Sequence, residues 1–142
     1  MNKLIVLLGG LCFLLTPIVS TAQEKGALTI VAHHFSNDQG IAVVNLFRET
    51  DDVPKQFFKQ IKANIEEGVA TLIFSDIPYD DYAAIVFQDE NSNGILDHKL
   101  GFPNEPMGFS NEWKLTLFSG MPNFEKLKFR FDVDHSTCRI KM

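Results

Sequence analysis

From Asp89 to Asp97 the chain reads Asp-Glu-Asn-Ser-Asn-Gly-Ile-Leu-Asp, with oxygen-bearing side chains at relative positions 1, 3, 5 and 9 and a glycine at 6. A hard cation such as calcium takes about six to eight oxygens, and a loop curled so that alternate side chains point inward supplies them. In that reading Asp89, Asn91, Asn93 and Asp97 offer side-chain oxygens, Ile95 offers its carbonyl, and Gly94 permits the sharp turn. Position 12, where a bidentate glutamate would close the loop, is Leu100. Glu105, the next acid along, is the candidate for folding back as a further ligand. With two carboxylates inside the loop, such a site belongs at the weak, extracellular end of the range, with Kd about 10⁻⁴ to 10⁻³ M. The same Asp and Asn side chains can instead hold a metal-free turn by bonding to nearby backbone, and the sequence leaves both readings open.

The remaining reactive side chains do not converge on a reaction. His33 and His34 are adjacent, and on a strand neighbours point to opposite faces, so they are not expected to share a metal. His98 and His135 stand alone, and no Ser/His/Asp, Cys/His or His-x-x-x-His spacing is present. The acidic pairs Glu66-Glu67 and Asp80-Asp81 read as solvated turn residues. The expectation is therefore a noncatalytic protein.

Residues 1–22 have the order of a cleavable secretory signal: Lys3, an apolar run over 4–15, Pro17, then the small residues Ser20-Thr21-Ala22. The apolar run is shorter than the roughly 18 to 20 residues that span a bilayer, so no transmembrane segment is expected after cleavage. Residues 23–142 then make one domain, of a length that can bury a core. The formal charge of the whole chain is −5 and the leader removes one further cation, Lys3. That balance gives no electrostatic reason to bind nucleic acid or an anionic membrane surface. Cys12 leaves with the leader, so Cys138 has no partner for an internal disulfide; it shares parity with Ile140 and Met142, which predicts a buried, inert thiol.

The elements that must position the loop are short alternating segments separated by turn signals, the pattern of an all-β sandwich. Leu28, Ile30 and Ala32 mark one strand; Gly40 precedes a second over 41–47. Pro54, Phe57, Phe58 and Ile61 are spaced for one short helix within 51–64. Strands follow at 69–74 and 82–87, the latter apolar on both faces and so central. A long loop at 89–112 has no periodicity; Trp113, Leu115 and Leu117 resume alternation, 127–133 alternates strictly, and 137–142 completes about seven strands.

The run from Phe74 through Asp76-Ile77-Pro78, Tyr82-Ala83 and Phe87 enters the Asp-x-Asn-x-Asn-Gly-x-Leu-Asp loop. Gly101-x-Pro103-x-Glu105-x-x-Gly108-Phe109-Ser110-Asn111 follows it. These linked motifs resemble an exported bacterial family, the domain of unknown function 2141 family, over most of 23–142, with Val43, Leu46, Phe47 and Phe124 at its apolar positions. The resemblance implies a transthyretin-like or immunoglobulin-like β-sandwich and implies no activity. Asp81 departs from the glycine common before the tyrosine. The loop is also similar to that of calcium-binding β-sandwich repeats in Gram-positive surface proteins, which place their glutamate earlier than Glu105.

The expected function is an exported module, periplasmic or secreted, binding a protein, peptide or glycan through the loop aromatics Phe102, Phe109 and Trp113. Aromatic side chains offer large contact area at low entropic cost. The competing role for those rings is to fold the long loop back onto the sandwich. Alternative functions are envelope assembly by strand-edge pairing and, last, a hydrolase.

Overall fold

The computed structural model describes residues 23–142; the leader expected at 1–22 lies outside the described residues. In chain order the elements are β1 (Lys25–His33), β2 (Ile41–Phe47), β3 (Lys59–Asn64), β4 (Val69–Pro78), β5 (Asp80–Asp89), β6 (His98–Lys99), β7 (Phe102–Pro103), β8 (Met107–Phe109), α1 (Phe124–Leu127), β9 (Phe129–Phe131) and β10 (Thr137–Lys141). One sheet has the order β10-β1-β4 and the other β3-β2-β5-β8, with β9 added against the start of β5. β6 and β7 form a small hairpin of their own. The first and last strands lie side by side and parallel, Thr29 opposite Thr137 and His33 opposite Lys141. The protein is an all-β sandwich with one short helix, the class the sequence indicates, although β3, β8 and the helix lie where the sequence did not place them.

Period-two burial explains why these segments are strands. Leu28, Ile30 and Ala32 of β1 and Ala70, Leu72 and Phe74 of β4 point inward, against Ala42, Val44 and Leu46 of β2 and Tyr82, Ala84 and Val86 of β5. Each fully buried large apolar side chain contributes roughly 1.5 to 3 kcal/mol. β5 is buried on its other face too, where Phe47, Ala83 and Ile85 meet Phe109, Phe124 and Leu127. The segment after the long loop thus wraps the outside of the second sheet, which is why the central strand is apolar at every position from Tyr82 to Phe87.

A turn before β5 is locked by Tyr82, whose hydroxyl donates to the Pro78 carbonyl at 2.9 Å, four residues back. That is the tyrosine-corner arrangement of sandwich folds. Burial first, and then the charge of Asp80, push the Tyr82 phenol from 10.0 to about 12.

Four expectations are corrected. No helix forms in 51–64: β3 occupies its end, with Ile61 and Ala63 partly buried and Lys62 and Asn64 exposed. The edge of β2 offered a ladder from Ile41 to Leu46, and pairing with it won over a helical face whose Phe57 stays exposed. The one-turn helix is α1, capped by the Asn123 side chain accepting from the Lys126 amide. The alternation of Trp113, Leu115 and Leu117 is not a strand, because Asn111 and Glu112 take φ of +56° and +54° and turn the chain off the sheet. The strict alternation over 127–133 is reduced to the three residues of β9. Leu127 belongs to α1, and Asp132 ends the strand by accepting from the amides of Asp134 and His135. Finally, β1 stops at His33 and His34 has φ +67°, so the two rings do not diverge: they meet edge-on with centroids 4.7 Å apart and their Nδ1 atoms hydrogen-bonded.

Cys138 is 8% exposed, and burial pushes its thiol from 9.0 to about 12. Native protein is therefore expected to leave a thiol reagent unreacted at mildly alkaline pH and to react fully once denatured. Because Cys138 and Tyr82 both hold their protons longer when folded, stability is intact below about pH 9. It falls as pH climbs toward 12, where the unfolded chain ionises first. An alkaline denaturation series checks the sign; stability rising over that window would contradict it.

Candidate functional site

Loop 89–97 leaves the end of β5, and its first residue is seated by the strand beside it. Asp89 pairs with Ile41 in the ladder, and Gly40, at φ +74°, lies flat against it: a Cβ there would fall 2.0 Å from the Asp89 carbonyl oxygen. Below it Gln88, fully buried, donates its amide to the carbonyl and side-chain oxygens of Asn37 and to the Gln39 carbonyl. Gly40, Asn37 and Gln88 are thus the base of the loop. Of the three, the sequence marked only Gly40, as the residue preceding a strand; Asn37 and Gln88 carried no signal.

The Asp89 carboxylate is fully buried and fills the turn, one oxygen accepting from the Asn93 amide at 3.0 Å and the other from the Gly94 amide at 2.6 Å. Asn91 Oδ1 accepts from the Asn93 amide, and Asn93 Oδ1 from the Ile95 amide. The side-chain amides of Asn91 and Asn93 both donate to the Asp97 carboxylate, at 2.6 Å and at 3.2 and 3.3 Å. Asn91, Asn93 and Asp97 are therefore gathered at the mouth while Asp89 sits at the bottom. Gly94 has φ +84°, and a Cβ there would meet the Lys62 ammonium at 2.6 Å.

Glu105 does fold back. It is 7% exposed, and its two carboxylate oxygens accept from the amides of Glu90 at 3.2 Å and Asp97 at 3.1 Å, clasping the two ends of the loop. Among the described residues no three His, Cys, Asp or Glu side chains converge where one metal could sit, so Asp89, Asp97 and Glu105 do not form a three-carboxylate centre. At the mouth the Asn91 and Asn93 side chains turn their N–H groups to the Asp97 carboxylate and their oxygens to the Asn93 and Ile95 amides, so a hard cation held there would require both amides to present their oxygens instead.

The motif residues beyond the clasp have structural work. Gly108 passes under β10, where a Cβ would lie 2.7 Å from the Lys141 carbonyl oxygen and 2.8 Å from Ile140 Cγ2. The buried Ser110 hydroxyl accepts from the Ala84 amide at 2.9 Å and donates to the Leu127 carbonyl at 2.6 Å, and the Asn111 amide donates to the Lys126 carbonyl. Over residues 30–139 the chain matches the model of a family described as an uncharacterized protein conserved in bacteria, DUF2141. The chain belongs to that family. No curated protein and no solved structure matches it significantly.

The aromatics in and just after the long loop divide between two roles. Phe109 is buried in the second core, and half-buried Trp113 packs edge-on against it with centroids 4.8 Å apart. Phe102 is 67% exposed, and beyond Trp113 Leu117, Phe118 and Met121 are exposed as well, Phe118 at 97%. His98 lies in an apolar cleft beside Phe102 and Met121, with no Asp or Glu among the lining residues.

Proposed function

We propose that the protein is an exported, noncatalytic β-sandwich module that binds a protein, peptide or glycan partner through the surface built on residues 96–121, with loop 89–97 stiffened by calcium. One observation carries the reading: Phe102, Leu117, Phe118 and Met121 stand exposed on a segment anchored by buried polar clasps at Asp89, Glu105 and Ser110. Phe102, Leu117 and Met121 line one cleft; exposed apolar side chains gathered in this way mark interaction sites, and fixing them beforehand reduces the ordering cost of binding. The absence of an acid beside His98 in its cleft supports a noncatalytic role. Basic residues on two edge strands, Lys59 and Lys62 on β3 and Arg139 and Lys141 on β10, are the kind that discourage strand addition, so face binding is favoured over edge pairing. No helix among the described residues is long and apolar enough to cross a membrane.

A photocrosslinking side chain at position 118 tests the reading in cells. A discrete crosslinked species is expected, weakened by Phe102→Ser and by chelating calcium. Labelling that is diffuse and indifferent to both would count against a specific surface.

A further inference from the structure

Two clefts flank the same wall. One, of about 880 Å³, is bounded by His33, Lys114, Arg139 and Lys141. The other, of about 720 Å³, runs over Leu96, Leu117 and Met121. Phe102, Pro103, Met107, Phe109 and Leu115 line both, so an apolar trough adjoins a cationic one across a shared rim. Each has the volume of a small-molecule site.

The cations are anomalous in this protein. Its formal charge is −5, and two of its three arginines, Arg48 and Arg130, have carboxylate partners. Arg139, Lys141 and Lys114 have none within ion-pair distance among the described residues. Of the carboxylate-bearing residues lining that cleft, Glu105 is committed to the amides of Glu90 and Asp97, which leaves Glu112 and the terminal carboxylate of Met142, neither paired with these cations. The imidazole of His33 is held below its ordinary value by burial first, and then by His34, Arg139 and Lys141, which agrees with the two cations lying close to it.

We infer that the joined clefts bind a single monomeric amphiphilic anion, its acyl chain over Leu117 and Met121 and its carboxylate at Arg139 and Lys141. This rests on the binding reading above and names the ligand class of that surface. Charge and apolarity are each exposed without a partner, and one ligand with both features covers both. Affinity should rise roughly four-fold per methylene buried, while an anion without a chain would gain only an exposed ion pair, of small effect.

Trp113 is the sole tryptophan and lines the cationic cleft, so its fluorescence reports occupancy in the mature chain. Decanoate below its micelle concentration should give a saturable one-site change, octanoate should bind about sixteen-fold more weakly, decanol roughly three- to ten-fold more weakly, and acetate weakest of all. Replacing Arg139 and Lys141 together by Ala should cost decanoate roughly three- to ten-fold and leave decanol unchanged; Leu117→Ser with Met121→Ser should weaken decanoate. All four side chains are exposed, and an unchanged circular dichroism spectrum would show each variant folded. No saturable change with decanoate, equal binding of decanol, or a response only to anionic vesicles that decanoate does not compete would each overturn the inference. If decanoate leaves Trp113 unchanged while a protein or glycan still crosslinks from position 118, the ligand class falls and the binding module stands.

Discussion

Gly40→Ala is expected to lower the free energy of unfolding by roughly 3 to 5 kcal/mol, the largest effect of an alanine at any of the described glycines. Two costs combine. Gly40 has φ +74°, a conformation that penalises any Cβ by about 1 to 2 kcal/mol. The Cβ would also lie 2.0 Å from the Asp89 carbonyl oxygen, 2.7 Å from Glu90 Cα and 2.8 Å from the Asp89 carbonyl carbon. All three are backbone atoms at the end of the strand paired with β2 or of the residue after it, so no rotamer change relieves the contact; the ladder from Ile41 to Asp89 must open. Gly101→Ala is the control, because Gly101 has φ +83° but nothing within 4 Å of its Cβ position, and it should cost only the conformational part, about 1 to 2 kcal/mol. Denaturant unfolding of the two variants measures the difference. Equal losses would mean that the seat of the loop contributes nothing.

That contrast also shows where sequence reasoning stops. Strands whose inward residues alternate were visible because alternation is a local signal: Leu28-Ile30-Ala32 and the doubly apolar 82–87 fall in β1 and β5. The oxygens of loop 89–97 were visible for the same reason, since their spacing is short and fixed. What the sequence concealed depends on contacts between distant segments. Phe57, Phe58 and Ile61 mimic a helical face, yet an open edge of β2 claimed the segment for β3. Trp113, Leu115 and Leu117 alternate like a strand but have no ladder to join, because Ser110 closes the end of β8 with its hydroxyl and the next two residues turn away. Gly40 and Gln88 bear on the loop from about fifty residues away in one case and from inside a strand in the other, and no periodicity announces either.

The loop itself poses two roles for its two aspartates, and they separate by substitution. Asp89→Asn is expected to cost about 2 to 4 kcal/mol, nearly as much as Asp89→Ala, because both carboxylate oxygens accept from backbone amides. An asparagine can satisfy the Asn93 amide or the Gly94 amide; at the other it presents an N–H to an N–H in a fully buried position. Asp97→Asn should cost less than about 1 kcal/mol in the absence of metal, since Asp97 is half-buried at the mouth and its partners are the side chains of Asn91 and Asn93. Calcium reverses the ranking of what is lost. At ten times Kd it should stabilise the wild type by about 1.4 kcal/mol, a rise of roughly 5 °C in melting temperature for a domain of this size, cancelled by chelator. Asp97→Asn should melt as the metal-free wild type does and gain little from millimolar calcium, because one carboxylate at the mouth is the charge that draws the ion there. If calcium moves neither protein, the Asp and Asn residues act as a metal-free turn, and the penalty at Asp89 remains as the measure of how firmly that turn is held.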